Sequence, residues 1–214
     1  MTTQRLLTVC AQNICRSPYI AYRLASELGI DSRDGDWRVS DRGTDVVDGR
    51  PICVVSAAKL GPAGAEFASR HVSRKLTATD AKSAHLIVTA STVERSRIAQ
   101  LHPDARSRTF TLREAIALGE VPVSEGEAAA ATIPGRPVAS LRTYADILNS
   151  RRGTIDLDIR PRRTLFQRSE GSSIDIPDHH QSRAGVHSRL FSEMDADVRT
   201  FVDDINSFFA LLKR

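Results

Sequence analysis

Apolar residues fall in short runs, between stretches where they recur every three or four positions. Residues 6–10 form an apolar run broken only by Thr8, the composition of a strand buried on both faces. Beyond it Ile20, Leu24 and Leu28 stand four apart, which predicts a helix. Ser17 is its expected cap, Pro18 an early position and Gly29 its stop. Residues 37–40 predict a second strand and 41–44 a loop. A helix is expected over 52–70, interrupted by Gly61-Pro62 and Gly64. Residues 71–76 read as a polar connection, with Thr79 or Asp80 capping a short helical turn. The β-branched run 85–89 predicts a third strand, 91–100 a helix, Thr109-Phe110 a short last strand and 112–118 a helix. This alternation predicts an α/β fold in three layers: a four-stranded, mostly parallel sheet with helices on both faces.

The rest of the chain is less periodic until its end. Residues 121–140 are rich in alanine, proline and glycine and read as an irregular excursion. A helix is expected over 141–151, and a polar, arginine-rich stretch over 151–171. Val186, Leu190, Met194, Val198, Phe201, Val202, Ile205, Phe208, Phe209 and Leu212 then mark a long helix with a broad apolar stripe. The expectation is that it covers one sheet face; pairing with a partner helix is the alternative. There is no internal repeat. One domain over 1–214, with an irregular extension at about 121–171, accommodates all of this.

Composition narrows the function classes. Of 214 residues, 41% are apolar and 26% charged, which suits a folded core and excludes a disordered chain. No run reaches the ~18–20 apolar residues of a membrane span, and the N-terminus carries no signal-peptide pattern. A net charge of +4 suits an anionic substrate but is too small to argue for nucleic acid. The three cysteines, Cys10, Cys15 and Cys53, make no disulfide framework and fit a reducing cytoplasm. No Cys/His spacing along the chain matches a structural zinc site.

The candidate chemistry lies between the first strand and the first helix. A tight loop there can meet phosphate oxygens with backbone N–H groups and a helix N-terminus. The loop is Ala11, Gln12, Asn13, Ile14, Cys15 and Arg16. The same positive end favours the thiolate form of a cysteine, so Cys10 is the candidate nucleophile. Arg16, six positions on, is placed to grip two phosphoryl oxygens. Ser17 can donate to the Cys10 sulfur, and Asn13 can hold the loop's shape through its side chain. The reaction needs a proton donor for the leaving oxygen. Several loop carboxylates qualify; Asp178 stands out because it follows Pro177 and precedes the last helix. No metal or cofactor is required.

The residues resemble the low-molecular-weight protein tyrosine phosphatases over most of the chain. Cys10, Asn13, Cys15, Arg16, Ser17 and Pro18 match the opening signature. Arg42-Gly43-Thr44 matches a later segment in its last two residues, and Ser73-Arg74-Lys75-Leu76, Leu86-Ile87-Val88-Thr89, Phe110-Thr111-Leu112 and Ile176-Pro177-Asp178 resemble others. The resemblance implies the phosphotyrosine phosphatase I-like fold of flavodoxin-like topology. It also implies Cys10 as nucleophile, Arg16 as phosphate clamp, and Asp178 as general acid and later base. Cys15 is implied as a reversible redox partner of Cys10, while Cys53 reads as structural. The chain departs from the pattern at Gln12, where the family has glycine, and at His179 and His180, where a proline and aromatic residues are usual. Tyr19, Trp37, His179 and His180 are the candidates for a substrate rim.

The expected function is thus a cytoplasmic phosphomonoester hydrolase working through a cysteinyl-phosphate. Its substrate would be a phosphorylated protein or a small phosphomonoester, with no nucleic-acid or membrane partner, and a monomer is favoured. Two alternatives remain open. One is an arsenate reductase of the same fold using an external thiol. The other is a phosphate- or phosphoprotein-binding protein impaired in catalysis by Gln12 and the altered acid loop.

Overall fold

β1 (Gln4–Cys10) is the strand on which the chain is built. It pairs in parallel with β2 (Trp37–Gly43) on one side and β3 (Leu86–Thr89) on the other, and β4 (Thr109–Thr111) lies beyond β3. The resulting order is β2-β1-β3-β4. In chain order the helices are α1 (Arg16–Glu27), α2 (Val54–Leu60), α3 (Ala65–Arg70), α4 (Ala78–Ser83), α5 (Thr92–Leu101), α6 (Leu112–Gly119), α7 (Glu125–Ala130), α8 (Leu141–Ser150) and α9 (Ala184–Leu211). The computed structural model describes residues 3–30, 36–133, 139–153, 174–178 and 184–212.

Strand alternation sorts the core into two layers. Leu6, Cys10, Leu86 and Val88 join an apolar cluster with residues of α1, α6, α8 and α9. Leu7, Val9 and Ile87 face the other way, onto Leu76, Ala81, Ala84, Ile98 and Ala105. The three-layer reading therefore holds. The strand order reverses at β1, whose successors lie on opposite sides of it. Ligand sites of open parallel sheets sit at the carboxyl end of such a strand, and here that end is Cys10.

Several local expectations change. β2 continues to Gly43, because residues 41–43 pair with Thr8, Val9 and Cys10. Ser17 is not the cap of α1: Cys15 holds that position without a side-chain bond, and Ser17 lies in the first turn. The cap of α4 is Thr77, in a reciprocal capping box with Asp80, and not Thr79 or Asp80. The 52–70 helix is divided at Gly61, whose φ of 65° a helix cannot contain. The excursion at 121–140 is in part regular, since Ser124 and Glu127 form the capping box of α7. Arg151, buried, donates to Glu127 and to the carbonyls of Leu118 and Val121. Its hydrogen bonds hold the Glu127 carboxyl down to about 2. Residues 154–173, most of the arginine-rich stretch, lie outside the described residues.

The stripe of α9 covers the molecule's own core. Leu190, Phe191, Met194, Val198, Phe201, Ile205 and Phe208 are buried, whereas Val186 is 46% exposed and falls off the stripe. No described helix is long and apolar enough to cross a membrane.

On α9 one carboxylate works against stability. Burial, with the charge of Asp203 second, pushes Asp204 up to about 6 from an ordinary 3.8. Its Oδ2 is buried beside Gly119 and lacks a hydrogen-bond partner among the described residues. The folded state holds this proton more tightly than the unfolded state. The stability it contributes is therefore present below the unfolded value and is lost as pH rises through the folded one. Asp204→Asn removes that loss. Thermal melts should show little gain for the variant near about pH 4 and a full gain of a few degrees above about pH 7.

Candidate active site

Thr8, the polar break in β1, is fully buried, and its hydroxyl donates to the Ser17 carbonyl at 2.9 Å, fastening α1 to the strand. Between these anchors the chain must turn within residues 11–15. Asn13 makes the turn: its φ is 55°, and it is the one non-glycine residue with positive φ among those described. Asparagine enters this region more readily than most residues because its short amide can bond locally.

All the polar groups of Asn13 are engaged. Its main-chain N–H donates to Cys10 Sγ at 3.3 Å, and Nδ2 donates to Ser17 Oγ at 3.0 Å and to Asp41 Oδ1 at 2.5 Å. Oδ1 accepts from the Arg74 N–H at 2.8 Å, and the carbonyl accepts from His71 Nε2 at 2.8 Å. Asp41 and His71, both reached from outside the loop, carry no sequence motif that announces this role. The residues 71–76, read as a polar connection, are a support for the loop.

The other loop carbonyls are drawn outward as well. Thr44 N–H reaches the Cys10 carbonyl, Asp45 N–H that of Ala11, Cys53 N–H that of Ile14, and Ser56 Oγ that of Cys15. In a trans peptide the following N–H points the opposite way. The N–H groups of Ala11, Gln12, Ile14, Cys15 and Arg16 are thereby turned to the concave side, where Cys10 sits. Inward-turned amides of this kind form a cradle that could receive an oxyanion. Gly43 permits the approach: a Cβ there would stand 2.5 Å from the Ala11 carbonyl and 2.9 Å from the Asn13 nitrogen.

Gln12 does not distort the cradle. It has no positive φ, its side chain is exposed, and its Oε1 accepts from Arg50 at 3.2 Å. Ser17 Oγ, already an acceptor from Asn13, lies 3.1 Å from Cys10 Sγ and 3.2 Å from the Arg42 carbonyl. Its single proton can serve either one, and a thiolate is the stronger claimant.

Asp178 arrives from the far end of the chain. Arg16, 5% exposed, donates through Nη1 to the Ile176 carbonyl at 2.9 Å and through Nη2 to Asp178 Oδ2 at 2.6 Å. Residues 174–178 are pinned to the sheet's carboxyl edge. Ile176 N–H reaches the Ala90 carbonyl, Thr111 Oγ1 the Ile174 carbonyl, and Asp175 accepts from the backbone and hydroxyl of Thr92 at the start of α5. Glu94, also buried, stands 3.9 Å behind Arg16 and accepts from the Ser91 hydroxyl. It is a second anionic support for Arg16. A polar residue in the first turn of a predicted helix gives no sign of that role.

The rim candidates fare differently. Tyr19 is buried, packs edge-on to Phe191 and donates to Asp195 at 2.9 Å; it is core, not a wall. Trp37 opens β2 opposite Gln4 and packs on Phe209. That places it about 20 Å from the Cys10 end, at ~3.3 Å per residue. His179 and His180 lie outside the described residues. Cys15 is buried, with its sulfur 3.1 Å from His187 Nε2; a hydrogen bond to Cys53 and burial push its thiol far up.

No protein-family model matches the chain, and no curated protein matches it in sequence. Solved structures match it in three dimensions. The YwlE arginine phosphatase from Geobacillus stearothermophilus superposes with a TM-score of 0.62 at 18% identity, over 99% of this chain and 97% of that one. A low-molecular-weight protein tyrosine phosphatase from T. tengcongensis gives 0.58 at 17%, over 94% and 99%. Vibrio vulnificus Wzb, in complex with benzylphosphonate, gives 0.57 at 16%, over 94% and 97%. The chain therefore has the four-stranded, parallel three-layer fold of the low-molecular-weight phosphatase structures.

The cradle depends on Asn13 and on the space at Gly43. Asn13→Ala and Gly43→Ala should each weaken inorganic phosphate binding at least about 10-fold, the equivalent of about one lost hydrogen bond or more. Calorimetric titration measures it. Unchanged affinity in both would mean that the loop keeps its shape without them.

Proposed function

We propose that the protein is a cysteine-dependent phosphohydrolase of the low-molecular-weight protein tyrosine phosphatase type. The observation that carries this reading is the convergence of Cys10, Ser17 and the inward-turned amides with Arg16 and Asp178, residues brought together from both ends of the chain. A YwlE structure with a cysteine-to-serine change and a phosphorylated active-site serine adds support by likeness.

In this reading the amides and Arg16 bind the phosphoryl oxygens, and the Cys10 thiolate attacks phosphorus in line with the leaving oxygen. As the P–O bond breaks, protonated Asp178 gives its proton to the leaving group. A phosphoryl dianion on the Arg16 fork competes with Asp178 for the guanidinium, which releases the carboxyl toward the leaving oxygen. Water then attacks the cysteinyl-phosphate, Asp178 takes its proton, and the S–P bond breaks. Ser17 steadies the departing thiolate.

The ordinary backbone of Gln12 favours an active enzyme over the binding-only alternative. The aromatic rim expected of Tyr19 and Trp37 does not form at the site, so the reaction class has firmer support than phosphotyrosine as the substrate. The reduced thiols suit a cytoplasmic setting.

Cys10→Ser should abolish turnover, and mass spectrometry of quenched parent enzyme should find phosphate on Cys10; a fully active Cys10→Ser variant would overturn the reading. Asp178→Asn should cost about 100- to 10,000-fold in kcat on poor leaving groups, the usual worth of a positioned acid, and much less on activated aryl phosphates. Gln12→Gly should leave turnover within a factor of a few. Comparing phosphotyrosine, phosphoserine and phosphoarginine substrates would assign the leaving group, and arsenate-dependent thiol consumption would instead identify a reductase.

A further inference from the structure

Behind the phosphate loop three donors from distant parts of the chain meet. Cys15 is the N-cap of α1, Cys53 the N-cap of α2, and His187 lies in the first turn of α9. Their donor atoms all lie within 4.8 Å of one another. His187 Nε2 is 3.1 Å from the Cys15 sulfur. All three residues are buried, at 5%, 9% and 3% exposure.

We propose that Cys15, Cys53 and His187 form a binding site for a thiophilic d10 metal ion, Zn2+ or Cu+. The donor set is two sulfurs and an imidazole nitrogen, which is the softness these ions select. A metal ~2.3 Å from sulfur and ~2.0 Å from nitrogen separates its ligand atoms by about 3.5–4 Å. The present spacing reaches that by small side-chain rotations. Two thiolates neutralise Zn2+ in a buried place, so no net charge is left there. Three protein donors suit trigonal Cu+ and leave Zn2+ one further position for water.

The backbone around the cluster is held for reasons that precede any metal. Cys53 N–H donates to the Ile14 carbonyl at 2.7 Å, and Ser56 Oγ to the Cys15 carbonyl at 3.3 Å. The His187 ring packs on Phe191, 5.2 Å between centroids. Ordinary core packing accounts for small cysteines and a stacked imidazole. Hydrogen bonds among the Cys15 sulfur, Cys53 and His187, with the Ser56 N–H on the Cys53 sulfur, hold the donors together before any ion arrives, at the spacing a metal would use. An ion here would join the last loop residue to α2 and α9, fastening the phosphate loop from behind. The proposal needs no turnover, so it stands or fails independently of the phosphatase reading.

The test is titration of reduced, metal-free full-length protein with Zn2+ against a chromophoric chelator. A parallel anaerobic arm uses Cu+ and a Cu+-selective chelator. One equivalent should bind tightly in at least one arm and raise the melting temperature. Cys53→Ser and His187→Gln should each weaken binding at least about 100-fold, since even the hydrogen-bond partners of metal ligands are worth about 10- to 100-fold. Cys10→Ser should leave it unchanged. X-ray absorption of the loaded parent protein should show a shell of two sulfurs and a nitrogen, a result that needs no variant. Absence of stoichiometric binding in both arms would overturn the site. So would a shell without two sulfurs, a Cys15–Cys53 disulfide in the isolated protein, or binding lost in Cys10→Ser but kept in Cys53→Ser.

Discussion

The left-handed backbone of Asn13 is the constraint on which the site depends. A strand ends at Cys10 and a helix starts at Arg16, which leaves too little chain for an open loop. One residue at φ 55° closes the turn. Buried polar groups must find partners, and Asn13 draws Asp41, His71, Arg74 and Ser17 around itself to satisfy its own. The neighbouring carbonyls are drawn outward in the same way, by Thr44, Asp45, Cys53 and Ser56, and this turns the amides in. The oxyanion cradle is a consequence of how the buried backbone is satisfied.

A second dependence runs from the sheet to the acid. The carboxyl ends of β3 and β4 leave backbone and hydroxyl groups that residues 174–178 satisfy, as an irregular segment laid across the sheet's edge. Arg113 adds a tie, bonding the Asp175 carbonyl and Asp197 on α9. Asp178 is thus carried to Arg16 by anchors on either side of the sheet, with its own side chain half exposed at the mouth. Arg16 itself is buried, between the Asp178 carboxylate and Glu94. A buried cation beside a half-exposed carboxylate at the mouth is the arrangement that the proposed proton transfer needs.

Much of this was legible in the order of residue types. The apolar run of β1, the helix stripe of α1, the β-branched β3 and the stripe of α9 follow from local periodicity, which is why strands and helices emerge close to their places. Boundaries moved where pairing or capping overrode propensity. Residues 41–43 joined β2 because β1 offered them a ladder, and Thr77 replaced Thr79 as cap because Asp80 could bond back to it. Tyr19 and Trp37 are rim candidates by residue type but pack elsewhere, because residue type alone does not say which end or face of an element meets the site.

By itself the sequence determined the sheet and the tight loop between β1 and α1, and it offered Cys10 and Arg16 as the candidate nucleophile and clamp, because those residues are neighbours and short spacing brings them together. Only the tertiary structure decided what surrounds them. Asp41, His71 and Glu94 became supports, and Cys15, Cys53 and His187 became a cluster, through contacts between residues far apart in the chain. No spacing encodes such contacts, since they are set by how helices and loops pack on a sheet whose strand order differs from the order of the chain.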